Sequence, residues 1–190
     1  MKSLTSPWLR AKHWQIFLLV FGVYCAGQIA AMNSILAAGS PEAGVSNLFG
    51  VLMTLFGVFF LSWFWSMGSF LGSIVREDLR LKFGFFRFAL IYPFFYGMVF
   101  FRFILPISEP VQLLLIVPFH LLAMLCVFYI AYFGSKSLAL AEAGKPVSFY
   151  DHAAAFFLLC FFPIGVWIIQ PNRLYAERRK IADQLIHAAA

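Results

Sequence analysis

Five polar side chains stand in or beside long apolar stretches at positions where chemistry could occur: Gln28, Glu42, Arg102, Glu109 and His120. Arg102 carries a planar fork of donors that can grip a phosphate or carboxylate at two points. With the carboxylates of Glu42 and Glu109, the amide of Gln28 and the imidazole of His120, it could line one external ligand pocket. A plainer arrangement is also open. Arg102 could snorkel to headgroups or pair with Glu109 in the adjoining turn, leaving Gln28 and His120 to hydrogen-bond between helices.

Other chemical signals are sparse. The chain has no GxSxG, HExxH, Walker A loop or glycine-rich dinucleotide fingerprint. His13, His120, His152 and His187 are scattered without metal-ligand spacing. The carboxylates sit at loops or ends, so no acidic pair lies inside an apolar block to relay protons. Cys25, Cys126 and Cys160 fall within apolar blocks and form no CxxC, which reads as packing. No metal or cofactor is expected, and the pattern argues against an enzyme.

The elements that must position these residues are membrane spans. Of 190 residues, 63% are hydrophobic and only 12% charged, too little polar surface to cover a water-soluble core. Four blocks are long enough to cross a hydrocarbon layer of roughly 30 Å, which takes about 20 helical residues. They cover residues 14–32, 48–75, 88–105 and 113–133. The second must tilt or project, while Pro93 and Pro118 predict kinks in the third and fourth. "NSILAAGSPEAGVSN" and "PISEP" read as connections. The first block exceeds a typical signal-peptide core and is expected as a retained anchor.

Lys and Arg orient the spans. Lys2, Arg10 and Lys12 precede the first, and Arg76, Arg80, Lys82 and Arg87 occupy or border the second connection. Lys136 and Lys145 follow the fourth, and Arg173, Arg178, Arg179 and Lys180 lie in the tail. The first and third connections contain none. Basic connections stay cytoplasmic, so the N-terminus is expected inside. The +6 net charge then points to anionic headgroups at the cytoplasmic face rather than to nucleic acid.

A fifth apolar segment, residues 153–169, could cross once more or enter and return. Re-entry would keep every Lys and Arg outside the spans on one side. Pro163 and Gly165 supply an apex, and Gln170-Pro171-Asn172 an exit. Beyond it, residues 172–188 read as an amphipathic surface helix with Leu174, Ile181 and Leu185 near one face. The expected fold is therefore all-α: a four-span bundle, a C-terminal re-entrant or interfacial segment, and a cytoplasmic tail helix.

"FFPIGVWIIQPNRLY", with "KHWQIFLLVFG" near the start, resembles a group of small bacterial integral membrane proteins of uncharacterised function. The resemblance implies a bacterial cytoplasmic-membrane setting and transfers no catalytic or binding residue.

Small residues at four-residue spacing give the clearest packing signals. Gly68 and Gly72 form a GxxxG with Ser69 and Ser73 beside it, and Gly22, Ala26 and Ala30 repeat the spacing in the first span. Trp63 and Trp65 lie too deep for an interfacial belt and are expected to fill the bundle or meet acyl chains. "SKSLALAEAGKPVSFYDH" reads as a short surface helix ending near Gly144, with Ser148 or Asp151 starting the next. The leading functional expectation is a scaffold or accessory subunit, either as a homo-oligomer or as a partner of another membrane protein. A transporter or channel component built around Arg102, His120 and Gln28 is the alternative. A lipid-modifying membrane enzyme is the third.

Overall fold

A computed structural model describes residues 7–39, 47–100 and 110–169. Every regular element among them is helical. The order is α1 (Pro7–Arg10), α2 (His13–Ala38), α3 (Asn47–Ile74), a 3₁₀ turn (Glu77–Leu79), α4 (Phe83–Val99), α5 (Pro110–Ala143), α6 (Phe149–Cys160) and α7 (Phe162–Ile169). Three of the helices are long and apolar enough to cross a membrane, over His13–Ala38, Leu48–Ile74 and Ile116–Ala143. With 17 residues, α4 extends about 25 Å. Residues 101–105 of the expected third span lie outside the described residues. Pro93 and Pro118 stand inside α4 and α5, which remain helical through both positions.

Two expected boundaries move. Residues 33–38, read as part of a loop, complete α2. Ser34 turns its hydroxyl back to the Ala30 carbonyl at 2.9 Å, which satisfies its polarity within the helix. Gly39 then ends α2 at φ +67°, donating to Ile35, the left-handed conformation that glycine adopts without a Cβ clash. The expected surface helix at "SKSLALAEA" is instead the continuation of α5. Ser135, Ser137, Leu138, Ala139 and Leu140 are buried there, because small residues leave a face that packs closely. Gly144, at φ +62°, closes α5 as expected.

The contacts divide into two compact units. One takes the described residues of Met1–Phe17, Trp63–Lys82 and Ala131–Ala190. Its core holds Trp63, Phe64, Phe70, Phe133 and Leu159, each under 2% exposed or at that limit. Trp63 meets Phe162 edge-on at 5.2 Å, whereas Trp65 is 43% exposed, so the two tryptophans split between core and surface. Arg80 donates to the Val75 carbonyl at 3.3 Å just beyond the end of α3, where a cation also complements the helix dipole. Arg76 and Asp78 form an exposed ion pair at 2.7 Å.

The other unit takes Leu18–Ser62 and Phe83–Ile130. Val20, Met53, Phe86, Ala89 and Cys126 are buried in it. Apolar residues also face outward, including Ile29, Phe95 and Leu125 at 60% or more exposed, as lipid-facing positions require.

The break between α6 and α7 falls at Phe161 rather than at the expected apex residues. Phe161 donates to Phe157, and Ile164 and Gly165 both donate to Phe161. Pro163 occupies the first turn of α7, where no intrahelical donor is needed. Gly165 is buried against the Leu158 carbonyl, so α7 packs back on α6.

Candidate functional site

Of the five residues expected to form an outer pocket, Glu42, Arg102 and Glu109 lie outside the described residues. Gln28 is exposed on α2. His120 is exposed on α5, and its Nδ1 lies 3.2 Å from the Tyr96 hydroxyl of α4. Tyr96 belongs to a ladder that the four-residue helical step creates on one face of α4 and carries on to the residue after it. Phe88, Tyr92, Tyr96 and Phe100 follow one another at centroid distances of 5.7, 6.1 and 5.7 Å. Tyr92 donates to the Phe119 carbonyl at 3.1 Å. The two α4 tyrosines thus bind consecutive residues of α5, a pairing the sequence reading did not identify.

Beside the ladder runs a groove of about 340 Å³ lined by Tyr92, Phe95, Tyr96, Val99, Ile116 and Phe119. Its walls suit an apolar or aromatic group. The neutral Tyr96–His120 pair holds two exchangeable protons and spends one in its mutual bond, leaving one donor at the edge whichever tautomer is present. A second apolar cavity of about 170 Å³ lies among α3, α4 and α5, with Gly57 and Gly97 in its walls.

A second polar constellation lies at the start of α6. The Ser148 backbone N–H and hydroxyl donate to the same Asp151 oxygen at 2.6 and 2.9 Å. The Ser148 carbonyl accepts from His152 Nδ1 at 2.8 Å. All three polar groups of Ser148 are thereby engaged by one helical turn. The backbone hydrogen bond, followed by the hydroxyl bond, holds the Asp151 carboxyl below the usual carboxylate range, and Lys145 adds in the same direction. His152 is only 1% exposed. Histidine spacing does not single it out, although Ser-x-x-Asp-His places its ring one helical turn from the N-cap carbonyl. No group of three or more potential metal ligands occurs among the described residues.

The packing residues also separate. Gly68 is buried and Gly72 half-buried within α3. On α2, a side chain at Gly22 would meet nothing within 4 Å among the described residues. Ala26 is exposed and Ala30 half-buried. The close approach on α2 occurs at Gly27, whose missing side chain makes room for Met53 and Leu52. Gly134 plays the same part for Met67 and Leu159.

Compared with models of known families, with curated proteins and with solved structures, the chain gives no match.

Proposed function

We propose that the chain is a non-enzymatic scaffold or accessory subunit of a membrane, acting through association of its helices. The three long apolar helices support the membrane setting. In this reading α4 is part of a fourth crossing. The alternation of basic and uncharged connections supports a cytoplasmic N-terminus. The resemblance in the N- and C-terminal stretches favours a bacterial cytoplasmic membrane. The break at Phe161 and the return of α7 onto α6 support a re-entrant hairpin, backbone irregularity that a bilayer tolerates where protein covers it. Anionic headgroups are the lipid partner of the basic cytoplasmic connections.

The observation that carries the scaffold reading is the open edge of α2. Gly22, Ala26 and Ala30 keep the small-residue spacing, but among the described residues nothing lies within 4 Å of a side chain placed at Gly22, and Ala26 is exposed. In lipid, close backbone approach and packing drive helix association, and this edge would receive a second copy or another protein's helix. Replacing both Gly22 and Ala26 with Leu should abolish association in native-membrane extracts, measured by cross-linking and particle size. Gly50→Leu, which also enters open space, should leave it intact. Unchanged association in the double variant would overturn the reading.

A transporter or channel component is favoured by one observation, the Tyr96–His120 bond beside the groove. Solute flux in proteoliposomes that is lost in His120→Phe would select that reading over the scaffold.

A further inference from the structure

Among the described residues, one buried side-chain nitrogen or oxygen has no hydrogen-bond partner: Nε2 of His152. The rest of the ring is well held. A carbonyl oxygen can only accept, so the 2.8 Å contact to Ser148 places the hydrogen on Nδ1. Nε2 of the neutral ring is then a bare lone pair, buried from solvent. The Tyr132 ring of α5 stands 5.5 Å away at 64°, and Phe149 lies 5.3 Å away at 79°.

Among the described residues no carboxylate hydrogen-bonds Nε2: the Asp151 charge couples to His152 only through space, and Glu142 lies exposed farther along α5. Lys136 of α5 donates to the Tyr132 hydroxyl at 2.9 Å and is itself a cation. Asp151 is turned toward Ser148, and Lys145 lies on the same turn. Helix α7 and the part of α3 from Trp63 to Ile74 bring no titratable side chain. His152 also lies in the first turn of α6, where the helix dipole opposes positive charge.

We propose that His152 is a pH-sensitive latch on the turn between α5 and α6. In the closed state the neutral ring pins the Ser148 carbonyl. A proton from water adds to the Nε2 lone pair, giving an imidazolium with a second N–H and no acceptor for it. A buried N–H without an acceptor is costly, so the charged ring leaves its enclosure. The Nδ1–H bond to Ser148 breaks with it, and residues 144–148 are released. Acidification therefore opens the turn, and neutralisation closes it.

Asp151 holds Ser148 from the other side and responds differently. Its carboxyl titrates below the usual range. Its contribution is therefore present above the ordinary carboxylate value and is lost only as pH falls through the lowered one. Loosening by Asp151 belongs to strongly acidic solution, and Asp151→Asn should leave the histidine transition in place.

The test uses the full chain in lipid nanodiscs with Cys25, Cys126 and Cys160 replaced and a spin label at Val147→Cys. The mobile fraction should rise as pH falls, with the open-to-closed ratio changing about tenfold per pH unit on the steep part, as one proton requires. In His152→Phe the mobile fraction should not vary with pH over that range. Nitrogen NMR of the unsubstituted protein at neutral pH should show His152 protonated at Nδ1. A flat response without the His152 substitution, a transition retained in His152→Phe, or a neutral ring protonated at Nε2 would each overturn the latch.

Discussion

The carbonyl oxygen of Leu158 occupies the space where a side chain on Gly165 would begin. The obstruction is backbone, which cannot swing aside as a side-chain terminus can. Gly165→Ala should therefore force α7 away from α6 and destabilise the fold by about 1–3 kcal/mol. Gly84→Ala, in an open part of α4, should be neutral or slightly stabilising through helix propensity. Denaturation midpoints in mild detergent compare the two, and equal midpoints would remove the constraint assigned to the α6–α7 corner.

Glycines on α3 and α5 divide by what surrounds them. Gly68 is buried, whereas a side chain at Gly50 would meet nothing within 4 Å. Gly68→Leu should lower the yield of folded protein and its midpoint, while Gly50→Leu should do neither. Gly134 lies between these cases. The atoms nearest its missing side chain are the ends of Met67 and Leu159, which can move. Gly134→Ala should cost less than Gly134→Leu in the same measurement, and the reverse order would mean that those side chains are not free to adjust.

Sidedness decides whether the α6–α7 segment re-enters or crosses. A cytoplasm-specific reporter fused after Ala190 should be active, as should one inserted near Gly144. Truncating the tail would remove the orienting Lys and Arg, so the fusion must retain them. Cysteines at Ala38 and near Pro110 should label from outside, and one at Lys82 should not. A C-terminal reporter active only outside would establish an odd number of crossings, and external labelling at Lys82 would reverse the orientation.

The features legible in the sequence are those set within a few residues of chain. Apolar block length marked the long helices, because a hydrocarbon layer demands a fixed helical span. Gly144 and the Ser148–Asp151 spacing marked the end of α5 and the start of α6, because helix caps are local hydrogen-bonding problems. The same local reading failed where neighbours from elsewhere determine the outcome. Residues 33–38 carry loop-like Asn and Ser, yet Ser34 satisfies itself on the helix and α2 continues. Gly22 and Gly27 are both small residues on one apolar helix. Only the placement of Met53 on α3 makes Gly27 the close contact. His152 looked like any scattered histidine until α5 brought Tyr132 across its ring. Chain spacing determined that its Nδ1 could reach Ser148. Tertiary packing alone decided that its other nitrogen would be sealed from water, because burial depends on side chains brought together from distant parts of the sequence.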